Sequence, residues 1–170
     1  MGNLTEALAT VAEVAIGLAG FSGIVVVLSR TYERRLTPLE RYRLFILLVP
    51  SLATTFLALL ALDLVSSGVP GAFRIGSAFL AAFCLWFPAS RVRQTLYFYR
   101  HVPDLFHAPV MWGLLGGYLA VAGLSLLHAF GVVTEAPEIF LLGLLWPLFQ
   151  SAIQFARMLF IRPTDPDADD

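Results

Sequence analysis

Five apolar stretches, separated by short polar or turn-forming segments, occupy almost the whole chain. Residues 7–28 carry one charge, Glu13, and residues 44–62 carry none. At about 1.5 Å of helix rise per residue, either stretch can cross a hydrocarbon layer of roughly 30 Å. Residues 75–90 give only 16 uncharged positions, bracketed by Arg74 and Arg91. Long arginine side chains reach the headgroup layer from either end, so this shorter stretch also spans. Its helix is expected to continue through Arg93 and the aromatic Tyr97, Phe98 and Tyr99 until Pro103 ends it. Residues 108–134 contain no Asp, Glu, Lys or Arg, and residues 139–156 are again uncharged up to Arg157.

Lipid offers no hydrogen-bond partner to a bare peptide group, so apolar segments of this length must be helices. The pattern predicts an all-α integral membrane helical bundle over residues 1–162. Its spans fall near 7–28, 44–65, 73–93, 109–131 and 138–160. The acidic, proline-containing segment 163–170 is expected to be a disordered tail.

Local signals mark the helix ends. Thr37, Pro38 and Glu40 read as N-cap, first helical residue and the reciprocal acid of a capping box. Ser66, Ser67, Gly68, Pro70 and Gly71 read as a turn after Asp63. Orientation follows from arginine. Five lie in 30–43, three in 91–107 and two at 157 and 162, all on one side of the bundle, against Arg74 alone on the other. Basic residues are retained in the cytoplasm, which predicts the N-terminus out and the C-terminus in.

Composition agrees with lipid as the solvent. Hydrophobic residues make up 58% and charged residues 14%, against roughly 45–50% and 25% in soluble domains. The net charge of −1 excludes the concentrated basic face that nucleic acid requires. All basic residues are arginine, which we read as GC-rich coding bias, and a bacterial inner membrane is the expected location. Cys84 is alone in an apolar run, which leaves neither a disulfide framework nor a cysteine metal site. The first stretch lacks a basic n-region and contains Glu13, so it reads as a first span rather than a cleaved signal.

Helix association in lipid depends on small residues that let backbones approach. The first span offers Ala15, Ala19 and Gly23 on one ridge, with Gly17 and Gly20 nearby, and the fourth offers Gly113 and Gly117. On this ground the first and fourth spans are expected to form the packed centre. Pro50, Pro88 and Pro147 fall inside the second, third and fifth spans. Each is either a hinge of the kind transporters use or a proline whose freed carbonyl is satisfied by neighbours. The second reading is the simpler.

Two polar groupings are candidates for chemistry. An ionisable group inside a membrane costs about 2.5–3.5 kcal/mol at mid-helix on insertion scales and is a functional hypothesis by default. Glu13, Asp63 and His128, from three spans, are expected at similar depth toward the outer surface, where they would suit a proton or cation site. They lack the spacing of a metal motif. On the fifth span Gln150, Gln154 and Arg157 share a face that is expected to line a polar cavity at the inner side or to bond a neighbouring helix. Gln150, deep in the span, should find a hydrogen-bond partner.

No nucleophile elbow, phosphate loop or haem-attachment motif is present, and no cofactor or metal is expected. The functional expectation is a non-enzymatic accessory or sensor membrane subunit associating with itself or another membrane protein. The rival is a small oligomeric transporter or channel for an ion, proton or small solute. Membrane lipids are the other expected partner.

Overall fold

A chain surrounded by acyl groups must close its backbone hydrogen bonds inside each segment, and this one does so in five helices. The computed structural model describes residues 2–31, 38–101, 108–133 and 137–160. The helices are α1 (Gly2–Thr31), α2 (Pro38–Ser66), α3 (Ala72–His101), α4 (Ala108–Ala129) and α5 (Pro137–Phe160). No strand occurs among the described residues. Each helix contains a stretch long and apolar enough to cross a membrane. The protein is therefore an all-α, multi-pass membrane bundle. Pro38 opens α2 with Glu40 in its first turn, as a capping sequence requires; Thr37, Pro103, His107 and the tail lie outside the described residues.

Several hydroxyl groups inside the spans are satisfied by their own helices. Ser22 donates to the carbonyls of Leu18 and Ala19 at 2.8 and 2.9 Å, Ser51 to that of Leu47 at 3.0 Å, and Thr55 to that of Ser51 at 3.0 Å. Such back-bonding lets a small polar residue face lipid or a neighbouring helix without an orphan donor.

The two turns at the arginine-poor end are closed by glycine. Gly68 (φ 68°) ends α2 and Gly131 (φ 73°) ends α4. After α2, Val69 N bonds Leu64 O at 3.0 Å and Gly68 N bonds Val65 O at 3.1 Å. After α4, Val132 N bonds Leu127 O and Gly131 N bonds His128 O, both at 3.0 Å. Both are Schellman closures, in which the left-handed residue satisfies two terminal carbonyls at once. The lone arginine of this end is explained here. The guanidinium carbon of Arg74 lies 3.5 Å from where a Cβ on Gly131 would stand, beside the negative end of the α4 dipole.

Helices α2, α3 and α5 pack on one another, and α5 touches all four other helices. Helix α1 lies against α2 and α5, α4 lies against α3 and α5, and α1 and α4 make no contact among the described residues. The expectation that α1 and α4 form the packed centre is therefore overturned. The reason lies in which small residues face inward. The buried positions of α1 are Leu8, Ala12, Ala15, Ala19 and Ser22, an alternation of four and three that keeps one seam against a neighbouring helix. Ala15 and Ala19 are part of that seam, but Gly17, Gly20 and Gly23 would meet nothing within 4 Å if each gained a Cβ. Gly113 is open in the same way. Only Gly117 among the expected packing glycines is crowded, with the Trp146 indole occupying the place of its missing Cβ. Two further close approaches were not singled out in the sequence. Phe140 stands 3.0 Å from a Cβ on Gly76, and Leu80 stands 2.6 Å from one on Gly143.

Candidate functional site

The two polar groupings meet different fates in the folded chain. Glu13 is exposed on α1 and Asp63 is exposed near the end of α2, whereas His128 is buried, with 1% of its surface accessible. Because α1 does not touch α4, the fold does not bring Glu13 to His128. No three His, Cys, Asp or Glu side chains gather into a metal-holding group among the described residues. His128 pairs instead with Ser77 of α3, whose hydroxyl lies 2.8 Å from Nδ1. Ser77 is completely buried. Ser77→Ala is accordingly expected to strand the imidazole and lower stability by about 1–3 kcal/mol. The double variant with His128→Leu should recover most of that loss in the same detergent-titration measurement.

The second grouping does converge. Gln150, Gln154 and Arg157 line a cavity of about 140 Å³ at the arginine-rich end, between α2, α3, α4 and α5. At roughly 10–15 Å³ per enclosed water, it holds several waters or one compact polar group. The other walls come from Tyr42, Arg43 and Ile46 of α2, from α3 between Phe87 and Leu96, and from α4 between Met111 and Tyr118. Away from the cavity lining, α3 and α5 approach closely where Leu80 fits Gly143 and Phe140 fits Gly76. Trp146 against Gly117 closes the same level between α4 and α5.

Among the described residues, three guanidinium groups from three helices line it, Arg43, Arg91 and Arg157, and no carboxylate does. Arg43 is 5% exposed and its Nη2 has no hydrogen-bond partner within the protein. It lies within electrostatic range of both Arg157 and Glu40. Arg91 donates from Nη1 to Gln94 Oε1 at 2.8 Å and stacks its guanidinium 3.6 Å over the Phe45 ring. That contact fixes its direction, while its buried Nε is unpartnered. Tyr42 and Thr95, joined through their hydroxyls at 2.5 Å, hold α2 to α3 along the same wall.

Gln150 departs from expectation. It is 6% exposed, yet its amide oxygen has no partner in the protein. The interhelical bond expected of this face belongs to its neighbour. Ser151 shares its hydroxyl proton between Leu47 O of α2 and Pro147 O, each at 3.0 Å. Gln150 is one residue round the helix and looks into the cavity instead. Buried polar atoms without a partner are normally rare. Of the seven among the described residues, those of Arg43, Arg91, Tyr118 and Gln150 belong to this one lining, and those of Thr54, Ser125 and Trp146 lie elsewhere.

Arg43 and Arg91 line the site, whereas sequence reasoning assigned them to the charge asymmetry that orients the chain and to contact with lipid headgroups at the membrane surface. The usable signal was positional: Arg43 sits one turn inside α2, past Glu40, where a residue serving topology alone would lie outside the helix. No protein family, curated protein or solved structure matches the chain.

Proposed function

We propose that the protein is a non-enzymatic membrane subunit of the accessory or sensor kind, whose working site is the arginine-lined cavity. The observation that carries this reading is that one cavity gathers the buried, unpartnered polar atoms of Arg43, Arg91, Tyr118 and Gln150. Buried polar atoms that find no partner in the protein favour a bound one. Arginine asymmetry supports a cytoplasmic location for the cavity, with the N-terminus out, in a bacterial inner membrane.

The outward face of α1 supports association with a second copy or another membrane protein. It carries Glu13 together with Gly20, Gly23 and the exposed Val14, Ile16 and Ile24. A carboxyl among lipid-facing apolar residues gains from any partner that covers it.

The experiment is flux and cross-linking on the same preparation. Proteoliposomes are expected to show no proton, cation or anion flux above protein-free vesicles. A Gly20→Cys variant in native membranes is expected to cross-link to one dominant partner. Ion-dependent flux that Glu13→Gln abolishes in a folded protein would transfer the assignment to the transporter reading. Failure of Gly20→Cys to trap any protein would remove the accessory reading.

A further inference from the structure

The geometry points to the ligand of this cavity: we propose that it takes the headgroup of an anionic lipid from the surrounding leaflet, with the acyl chains lying along the α3–α4 mouth. The inference rests on the reading of the cavity as the binding site and adds the chemical class that fills it.

Charge comes first. Three guanidinium groups converging from α2, α3 and α5 repel one another, and Arg43 is nineteen-twentieths buried with Nη2 unpartnered in the protein. A buried guanidinium N–H without an acceptor is unfavourable, and a planar guanidinium fork matches the oxygens of a phosphate or carboxylate. Arg91 adds a second buried guanidinium nitrogen, Nε, without a partner in the protein, and Glu40, which acts on Arg43, is not among the described lining residues. The deeper wall adds the Tyr118 hydroxyl, a donor with no protein partner.

Shape then selects an amphiphile over a free anion. The α3–α4 mouth is rimmed by Val92, Leu96 and Trp112, apolar side chains that also face outward from the bundle, Trp112 with 60% of its surface accessible. A headgroup can slide from the leaflet to the arginines while its chains stay among these residues. A soluble phosphate would have no use for such a rim. Basic pockets between helices at the cytoplasmic side favour anionic headgroups for the same reasons.

The test uses the full chain in a zwitterionic detergent, titrated with phosphatidylglycerol, with phosphatidylcholine of identical chains, and with inorganic phosphate. Native mass spectrometry is expected to favour phosphatidylglycerol over phosphatidylcholine about tenfold or more, the worth of one or two charge-assisted bonds. Arg43→Gln and Arg157→Gln should each cut that ratio to within about twofold. Arg43→Lys, which keeps the charge, should retain a preference, as should Arg93→Gln, exposed on α3 and outside the lining. Should Arg43→Gln fail to insert, Arg157→Gln against Arg43→Lys carries the comparison.

A second readout separates the ligand from the site. In a Cys84→Ala background, a Gln154→Cys variant is expected to react with a small charged thiol reagent, and phosphatidylglycerol should slow the reaction. Reaction without lipid protection, together with no lipid preference, overturns the anionic lipid and leaves a binding cavity. No reaction and no preference overturns the cavity as a site. A preference that survives both glutamine variants places the lipid on the outer surface and sinks the inference. Inorganic phosphate competing as well as phosphatidylglycerol sinks it in favour of a soluble anion.

Discussion

Gly117→Ala should destabilise the bundle by about 1–3 kcal/mol, and Gly117→Leu by more, in a detergent-titration or steric-trapping measurement. A methyl group at this position falls inside the Trp146 indole. The ring cannot yield by a small rotation, because it packs against the buried core and its neighbour Pro147 is itself fully buried. The whole α4–α5 contact must open instead. Gly113→Ala and Gly17→Ala are the controls. Neither would touch anything within 4 Å, and alanine is the better helix former by about 1 kcal/mol, so both should be neutral or slightly stabilising. Adding Trp146→Leu to Gly117→Ala should restore much of the loss. If Gly117→Ala is tolerated as readily as Gly113→Ala, the packing of α4 on α5 is wrong.

Phe140→Ala is expected to cost about 2–4 kcal/mol by the same measurement. The ring is fully buried, closes on Gly76 of α3 and stands with its centroid 6.1 Å from that of Phe73. In water such a truncation loses both transfer energy and packing. In lipid the transfer part shrinks, because acyl chains are as apolar as the core, and lost packing dominates. Phe140 does not line the arginine-end cavity. A Phe140→Ala protein that still folds should therefore keep its lipid selectivity while losing stability. A variant that loses selectivity in proportion to stability would show that the two halves are not separable.

Much of the candidate site was legible in the pattern of residues along one helix. Gln150, Gln154 and Arg157 recur at intervals of four and three, which places them on one face of α5, and the cavity lies on that face. Arg43 and Arg91 were hidden because a basic residue near a membrane surface already has an explanation in topology. The outer grouping misled for a related reason. Similar depth in the bilayer says nothing about azimuth, and Glu13 and His128 sit on helices that do not meet among the described residues.

Glycine shows the same division. Gly113 and Gly117 are one turn apart, yet only the second has a neighbour in the space its side chain would fill. Small residues permit close approach from any direction, so a stripe of them states a capacity and leaves the partner unnamed.

Length and hydropathy alone determine that the chain lies in a membrane, that its spans are helical and where the turns fall, because an unpaired peptide group in lipid is too costly to allow anything else. Those terms act within one segment and so can be read along it. Which helices touch, which glycines are filled against and which arginines share a cavity depend on side chains meeting across helices distant in sequence. Only the tertiary structure decided them: lipid solvates every apolar face about equally well, and the arrangement is chosen by the fit of Phe140, Leu80 and Trp146 into their glycines.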